Sequence, residues 1–172
     1  LLKLENHTGK LLATVTLAGV NDKTDITSLY QDKTGNLWIG TMGRGLFVLD
    51  PVGLKYRPFA ENPRFVNAGI LSVSGKGNEI WVSSLQGTMK IELTSTNNSL
   101  PGTYQFQNLE PRSTGTNYIY AIFTDSRNRT WFATDGNGLT MLQNGVYTYY
   151  NENSGLKDKH IFSVVEDNSG NI

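Results

Sequence analysis

Three tryptophans recur along the chain and constrain its fold more than any other feature. Trp38, Trp81 and Trp131 lie 43 and 50 residues apart, a spacing typical of propeller blades and of helical arrays. The residues around Trp38 reappear around Trp131 after a shift of 93 positions without a gap. The matching pairs are Ile26 and Ile119, Leu29 and Ile122, Asp32 and Asp125, Gly35 and Asn128, Thr41 and Thr134, Gly45 and Gly138, Leu46 and Leu139, and Leu49 and Leu142. The chain is therefore a repeat protein.

Each repeat is a string of short β segments. Apolar and β-branched runs of about five residues alternate with Gly, Asn and Asp, and no window has a sustained helical period. The segment 32–36 suits a tight hairpin in which Gly35 takes a positive φ, and Asn128 is the best non-glycine residue for that conformation. The first complete unit is predicted to form strands at 25–32, 36–41, 45–50 and 55–59.

The fold class predicted from these units is all-β. We expect a β-propeller fragment of four-stranded antiparallel blades, with three complete blades and a half-blade remnant at each end. The predicted boundaries are 1–20 for the end of a preceding blade, 25–60, 68–108 and 118–150 for complete blades, and 159–172 for the start of a further blade. The longest departures from the repeat, 93–102 and 108–117, are expected to be surface loops. We expect the chain to be an excerpt, or a processed form, of something longer.

The repeated residues are best explained by a structural role rather than by ligand binding. The residues assigned to the repeat itself are Asp32, Gly35, Trp38, Trp81, Asp125, Trp131, Asp167 and Gly170. A large flat side chain at one strand position fills the wedge between neighbouring sheets, so core packing is favoured over sugar stacking for the tryptophans. The predicted core is Leu29, Trp38, Ile39, Leu46, Ile70, Val73, Trp81, Val82, Ile122, Trp131, Phe132, Leu139 and Ile161.

Charge and composition exclude several partners. Lys plus Arg equals Asp plus Glu, 15 against 15, so no excess of positive charge favours nucleic acid or direct contact with an anionic membrane. Cysteine is absent, which excludes disulfides and thiolate zinc sites without deciding the compartment. No cofactor and no metal is predicted, because a short acidic side chain in a turn usually bonds its own backbone amides.

The unit I-x-x-L-x-x-D-x-x-G-N-L-W-I-G-T-x-x-x-G-L-x-x-L, read from Ile26 to Leu49, resembles the propeller repeat in the periplasmic sensor regions of hybrid two-component regulators of Bacteroides type. The resemblance covers nearly the whole chain. It implies a non-catalytic sensor segment of an inner-membrane receptor that responds to breakdown products of glycans. A histidine kinase and a DNA-binding regulator would lie elsewhere in such a chain.

Other functions stay open. A sialidase-like propeller would place the turn aspartate five residues before the tryptophan, whereas Asp32 stands six before Trp38. A streptogramin-lyase type of propeller shares a Gly-Asn-x-Trp turn and uses a histidine with a metal, and only His7 and His160 are present here. The alternatives are therefore such a propeller enzyme or a purely structural interaction propeller, and no catalytic residue is assigned.

Strand direction predicts where a ligand would bind. In an antiparallel blade, the links between the second and third strands lie on the same face as the links to the next blade, and these segments vary more than the tight Asp turns. A sugar needs an aromatic platform and planar hydrogen-bonding groups. The candidate contacts on this face are Arg44, Arg64, Asn67, Arg112, Tyr118, Asp135, Asn137 and His160.

The incomplete blades also predict association. Three blades and two half-blades would leave apolar faces and sheet edges uncovered, which favours pairing with other β structure. The expected partners are an oligosaccharide, other blades of the same receptor, or a second copy of the chain that completes the half-blades towards an eight-bladed ring.

Overall fold

The computed structural model describes residues 1–17, 24–50, 52–94, 104–110 and 118–172. Three four-stranded sheets and one two-stranded sheet account for the described strands, and all neighbouring strands are antiparallel and consecutive in sequence. The all-β propeller fold is confirmed. The strands are β1 (Leu2–Leu4), β2 (Leu11–Thr14), β3 (Ile26–Gln31), β4 (Leu37–Thr41), β5 (Gly45–Asp50), β6 (Lys55–Pro58), β7 (Ile70–Lys76), β8 (Glu79–Ser84), β9 (Gly87–Leu93), β10 (Tyr104–Leu109), β11 (Ile119–Thr124), β12 (Thr130–Thr134), β13 (Leu139–Gln143) and β14 (Val146–Tyr150).

We call the sheet β3–β6 blade I, the sheet β7–β10 blade II and the sheet β11–β14 blade III. Successive side chains of a strand point to opposite sheet faces, so one face of blade II packs on blade I and the other on blade III. Trp38 is buried between blades I and II with Phe59 and Val82. Trp81 is buried between blades II and III, where its ring meets Phe132 edge-on at 5.4 Å.

Most of the predicted core residues are buried, but the prediction is wrong for three of them. Ten of the thirteen predicted core residues are buried, whereas Leu29 is 48% exposed and Leu139 and Ile161 are only half-buried. Leu29 lies opposite Ile39 on the face towards the β1–β2 hairpin, and this two-stranded sheet does not cover the innermost strand of blade I. The segment that contains Ile161 forms no strand among the described residues.

An aspartate in the tight turn fixes the tryptophan of the same blade. Asp32 Oδ1 accepts hydrogen bonds from the backbone N–H groups of Thr34 (2.8 Å) and Asn36 (3.1 Å). Its Oδ2 accepts the indole N–H of Trp38 at 2.8 Å. The turn aspartate thus links hairpin geometry to the placement of the core indole.

Blade III repeats this arrangement with one addition. Asp125 accepts the indole N–H of Trp131 at 2.9 Å and pairs with Arg129 at 2.5 Å. Burial alone would raise the pKa of Asp125, but the hydrogen bonds from Trp131 and Arg129, with the charge of Arg129, outweigh it and lower this pKa. The aspartate is therefore ionised in the folded state at neutral pH.

The C-terminal remnant is an inner segment and a turn rather than a pair of bonded strands. Ile161 donates its backbone N–H to Thr134 of blade III at 3.0 Å, and Asp167 closes a turn of the same type through Ser169 and Asn171. The helical segments described are two single 3-10 turns, Pro63–Phe65 and Glu152–Ser154. Within the described ranges, no helix has the length and apolar character needed to cross a membrane.

Candidate functional site

The links between second and third strands share one face with the links between blades. The backbone N–H groups of Gly43 and Gly45, after β4, both donate to the carbonyl of Ala68 in the link to blade II, at 3.1 and 3.0 Å. In blade III, Gly136 donates in the same way to Lys159, at 3.1 Å. We call this the loop face, and the opposite face, which carries the Asp turns, the turn face.

Two of the predicted contacts meet in a cavity on blade I. Arg44 and Asn67 line a space of about 530 Å³ together with Tyr56 and Val66, and its floor is formed by buried apolar residues such as Phe59. Both polar side chains are exposed. Asn67 has a φ of 55°, a conformation that asparagine tolerates better than most residues. The cavity joins a guanidinium and an amide to aromatic walls.

Arg64 belongs to the same blade link but to another part of the face. It lies in the 3-10 turn Pro63–Phe65, where Asn62 caps the turn by accepting the backbone N–H of Arg64 at 3.2 Å. Its guanidinium approaches the β8–β9 turn, with Nη1 3.7 Å from the point where Gly87 would carry a Cβ. Arg64 therefore lies beside blade II and does not line the Arg44 cavity.

A second group of predicted contacts meets on blade III. His160 Nε2 lies 3.6 Å from Asp135 Oδ1, and the Asp135 backbone N–H donates to the carbonyl of Tyr118 at 3.0 Å. Asn137 belongs to the same β12–β13 turn and donates its backbone N–H to Thr134 at 3.2 Å. The blade link ending at His160 is thus held against this turn by side-chain and backbone contacts.

Two residues of this cluster escaped the sequence analysis. Asp158 lies 3.0 Å from His160 Nδ1, and the backbone and side-chain hydrogen bonds from His160 lower the pKa of Asp158. Partial burial, then the charge and the hydrogen bond of Asp135, raise the pKa of Tyr120. An Asp-x-His pair and a Tyr-x-Tyr pair are the sequence signals, but only the fold shows that they meet.

The predicted contacts therefore fall into separate clusters on one face. Arg44 and Asn67 form the first cluster, and Arg64 lies beside blade II. The second cluster consists of Tyr118, Asp135, Asn137 and His160. Arg112 lies outside the described residues. Among the residues that the structure describes, no three His, Cys, Asp or Glu side chains are placed to hold a metal ion.

Comparison with known families identifies the repeat. Residues 20–43 and 114–136 match the family described as the two-component regulator propeller. Both segments contain the Asp turn and the tryptophan that it holds, from blades I and III. The resemblance of the repeat to two-component regulator propellers is thus confirmed. No curated protein matches the sequence.

Solved structures share the fold at low sequence identity. The extracellular domain assigned to the hybrid two-component system BT4673 of Bacteroides thetaiotaomicron superposes with a TM-score of 0.66 at 18% identity, covering 84% of this chain and 21% of that one. The corresponding domain of BT3049 gives a TM-score of 0.52 at 22% identity, covering 95% and 27%. The chain therefore spans about a quarter or less of these relatives. At such identities the likeness shows the fold alone.

An enzyme also has this fold. A catalytically inactive variant of virginiamycin B lyase from Staphylococcus aureus superposes with a TM-score of 0.58 at 18% identity, covering 84% of this chain and 46% of the lyase. The propeller architecture thus occurs both in extracellular domains of two-component systems and in a lyase, and function has to be argued from the residues of the site.

Proposed function

We propose that this chain is a non-catalytic, ligand-binding segment of the extracytoplasmic propeller of a hybrid two-component receptor, located in the periplasm. The matched two-component regulator repeats support this proposal, as do two solved relatives that are extracellular domains of such systems. The ligand proposed for the loop face is an oligosaccharide released from a complex glycan.

The single observation that supports an oligosaccharide ligand is the cavity on blade I. Its volume of about 530 Å³ falls within the usual range for small-molecule sites. Arg44 and Asn67 offer planar donors and acceptors at its rim, and Tyr56 offers an aromatic ring. Apolar walls with a few polar groups at the edge suit the alternating faces of a sugar ring.

A sensor and a propeller enzyme differ in what happens to the ligand. We would titrate the protein with defined cello-, manno- and xylo-oligosaccharides by calorimetry and analyse each mixture for products by chromatography. Saturable binding with the oligosaccharide recovered intact is expected. Release of shorter sugars would instead establish an enzyme and overturn the proposal.

The loop face is tested by substitution. The double variant Arg44→Ala, Asn67→Ala removes hydrogen-bonding groups from exposed positions, so binding of the same oligosaccharide should weaken by about tenfold or more while the unfolding midpoint stays nearly unchanged. Lys33→Ala, an exposed cation on the turn face, is the matched control and should bind like the wild type. Equal affinity of the double variant and the control would exclude this cavity.

A further inference from the structure

Blade II lacks the aspartate that holds the tryptophan in blades I and III. Its β7–β8 hairpin is shorter, and Ser74 lies opposite Trp81 as Tyr30 lies opposite Trp38. Two positions further along the same strand, Lys76 occupies the register place of Asp32. The repeat therefore has a cation in blade II where the other two blades have a carboxylate.

This exchange leaves a polar atom of the core without a partner. Trp81 is 3% exposed, and its indole nitrogen has no hydrogen-bond acceptor among the described residues. The indole nitrogens of Trp38 and Trp131 lie 2.8 and 2.9 Å from carboxylate oxygens. Leaving such a donor unpaired in the core is unfavourable. An acceptor from outside the chain would recover that free energy.

Trp81 lines a cavity large enough to hold such an acceptor. A space of about 600 Å³ opens between blades II and III beside Trp81. Lys76, Glu79 and Lys90 line it from blade II, and Lys90 pairs with Glu79 and lies 5.6 Å from the centre of the Trp81 ring. Two cations and one anion thus line the cavity beside Trp81, and this balance of charge favours an anionic ligand.

The opposite wall provides neutral hydrogen-bonding groups. Blade III contributes Thr124, Asn128, Thr130 and Asn144 to the same cavity. Lys76 donates to the backbone carbonyls of Asp125 and Ser126 in blade III, at 2.6 and 3.2 Å, and so closes the turn-face end of the interface. Hydroxyl and amide groups of this kind suit the hydroxyls of a sugar.

We propose that the cavity between blades II and III binds a carboxylate-bearing ligand of sugar size, whose carboxylate takes the place of the missing turn aspartate and accepts the indole N–H of Trp81. The lysines supply the charge that the carboxylate needs, and the threonine and asparagine groups of blade III bind the rest of the ligand. The site lies on the turn face and is independent of the loop-face cavity proposed above.

The indole proton itself reports on the site. The protein labelled with ¹⁵N should give one indole N–H resonance from each tryptophan, and Trp38 and Trp131 serve as internal controls because both are already bonded to aspartates. Sodium glucuronate should shift the Trp81 resonance saturably, with a Kd of about 1 mM or tighter. Acetate, the minimal carboxylate, should shift the same resonance with weaker affinity. Glucose, which lacks the carboxylate, should leave it in place.

Substitutions separate this site from a general salt effect. Trp81→Phe keeps the ring and removes the donor, so glucuronate affinity measured by calorimetry should fall about tenfold. Lys90→Met removes one cation and should also weaken binding. Methionine is chosen because Met141 lies opposite Trp131 at the equivalent position of blade III. Lys33→Ala should not weaken binding.

Three results would overturn the proposal. The first is an unmoved Trp81 resonance at saturating glucuronate, which needs no variant and so does not depend on how the variants fold. The second is an equal response to glucose, which would show that the cavity does not recognise a carboxylate. The third is a shift of all three indole resonances together, which would indicate a change of the whole fold rather than binding at this cavity.

Discussion

The bond between the turn aspartate and the tryptophan makes a quantitative prediction. Asp32→Ala removes one carboxylate and with it the acceptor of the buried Trp38 indole and of the turn N–H groups of Thr34 and Asn36. Orphaning the indole N–H costs about 1–3 kcal/mol, and each turn bond contributes about 1 kcal/mol at most because water can replace part of it. We expect a loss of about 3 kcal/mol in the free energy of unfolding.

The assay is urea and thermal unfolding followed by circular dichroism. For a chain of this length, about 3 kcal/mol corresponds to a fall of roughly 6–12 °C in Tm. Asp32→Asn should cost less than Asp32→Ala, because an amide oxygen can still accept from the turn or from the indole, though not from both.

Asp167 provides the matched control. It accepts the same two turn bonds, from Ser169 and Asn171 at 2.8 and 2.9 Å, but it is exposed and holds no indole in the described structure. Asp167→Ala should therefore cost no more than about 2 kcal/mol, which is less than the loss expected for Asp32→Ala. An Asp32→Ala protein as stable as the wild type, or an equal loss in both variants, would refute the reasoning.

Three further predictions follow from the same structure. The lowered folded-state pKa of Asp125 adds stability that is fully present above the unfolded pKa of 3.8 and is lost as the pH falls through the folded pKa. In Asp125→Asn the free energy of unfolding should therefore depend less on pH in that range, and an unchanged pH dependence would contradict this. Gly45→Ala should destabilise the fold by about 2 kcal/mol or more, because φ is +75° and the added Cβ would lie 2.5 Å from the Phe65 carbonyl oxygen. Gly35→Ala, whose Cβ would meet no atom within 4 Å, should cost only about 1 kcal/mol. Equal losses of the two variants in urea unfolding would exclude a steric clash at Gly45. The exposed apolar surface, including Phe162 at 68% exposure, should drive self-association in light scattering, and Phe162→Ser should reduce it; a monodisperse wild-type monomer would contradict this.

The sequence predicts the strands well because strand formation here depends on local information. Alternating apolar residues and glycine turns place the first blade at 25–32, 36–41, 45–50 and 55–59, and the structure has 26–31, 37–41, 45–50 and 55–58. Burial is harder to predict, because it depends on what packs against a face. Leu29 and Ile122 occupy the same repeat position, yet Leu29 is exposed and Ile122 is buried against blade II.

The candidate sites could be predicted only in part, for a related reason. Strand direction is sufficient to bring Arg44 and Asn67 to one face, but it does not show that they share a cavity while Arg64 lies apart from it. The unpaired indole of Trp81 depends on a hairpin shorter than its counterparts. The missing aspartate is visible in the sequence, whereas the residue that replaces it follows only from the pairing register.

The two candidate cavities lie on opposite faces of the propeller, and this limits how they could influence each other. A strand such as β8, with six residues, spans about 20 Å from the turn face to the loop face, so no small ligand could contact both. Coupling would have to pass through the packing between blades. Trp38 and Trp81 contribute to consecutive parts of that packing, on the two sides of blade II. A ligand between blades II and III would bridge two sheets directly, whereas the Arg44 cavity lies against blade I and the link that leads to blade II. Any coupling between the two cavities would therefore require a change in the angle between neighbouring blades.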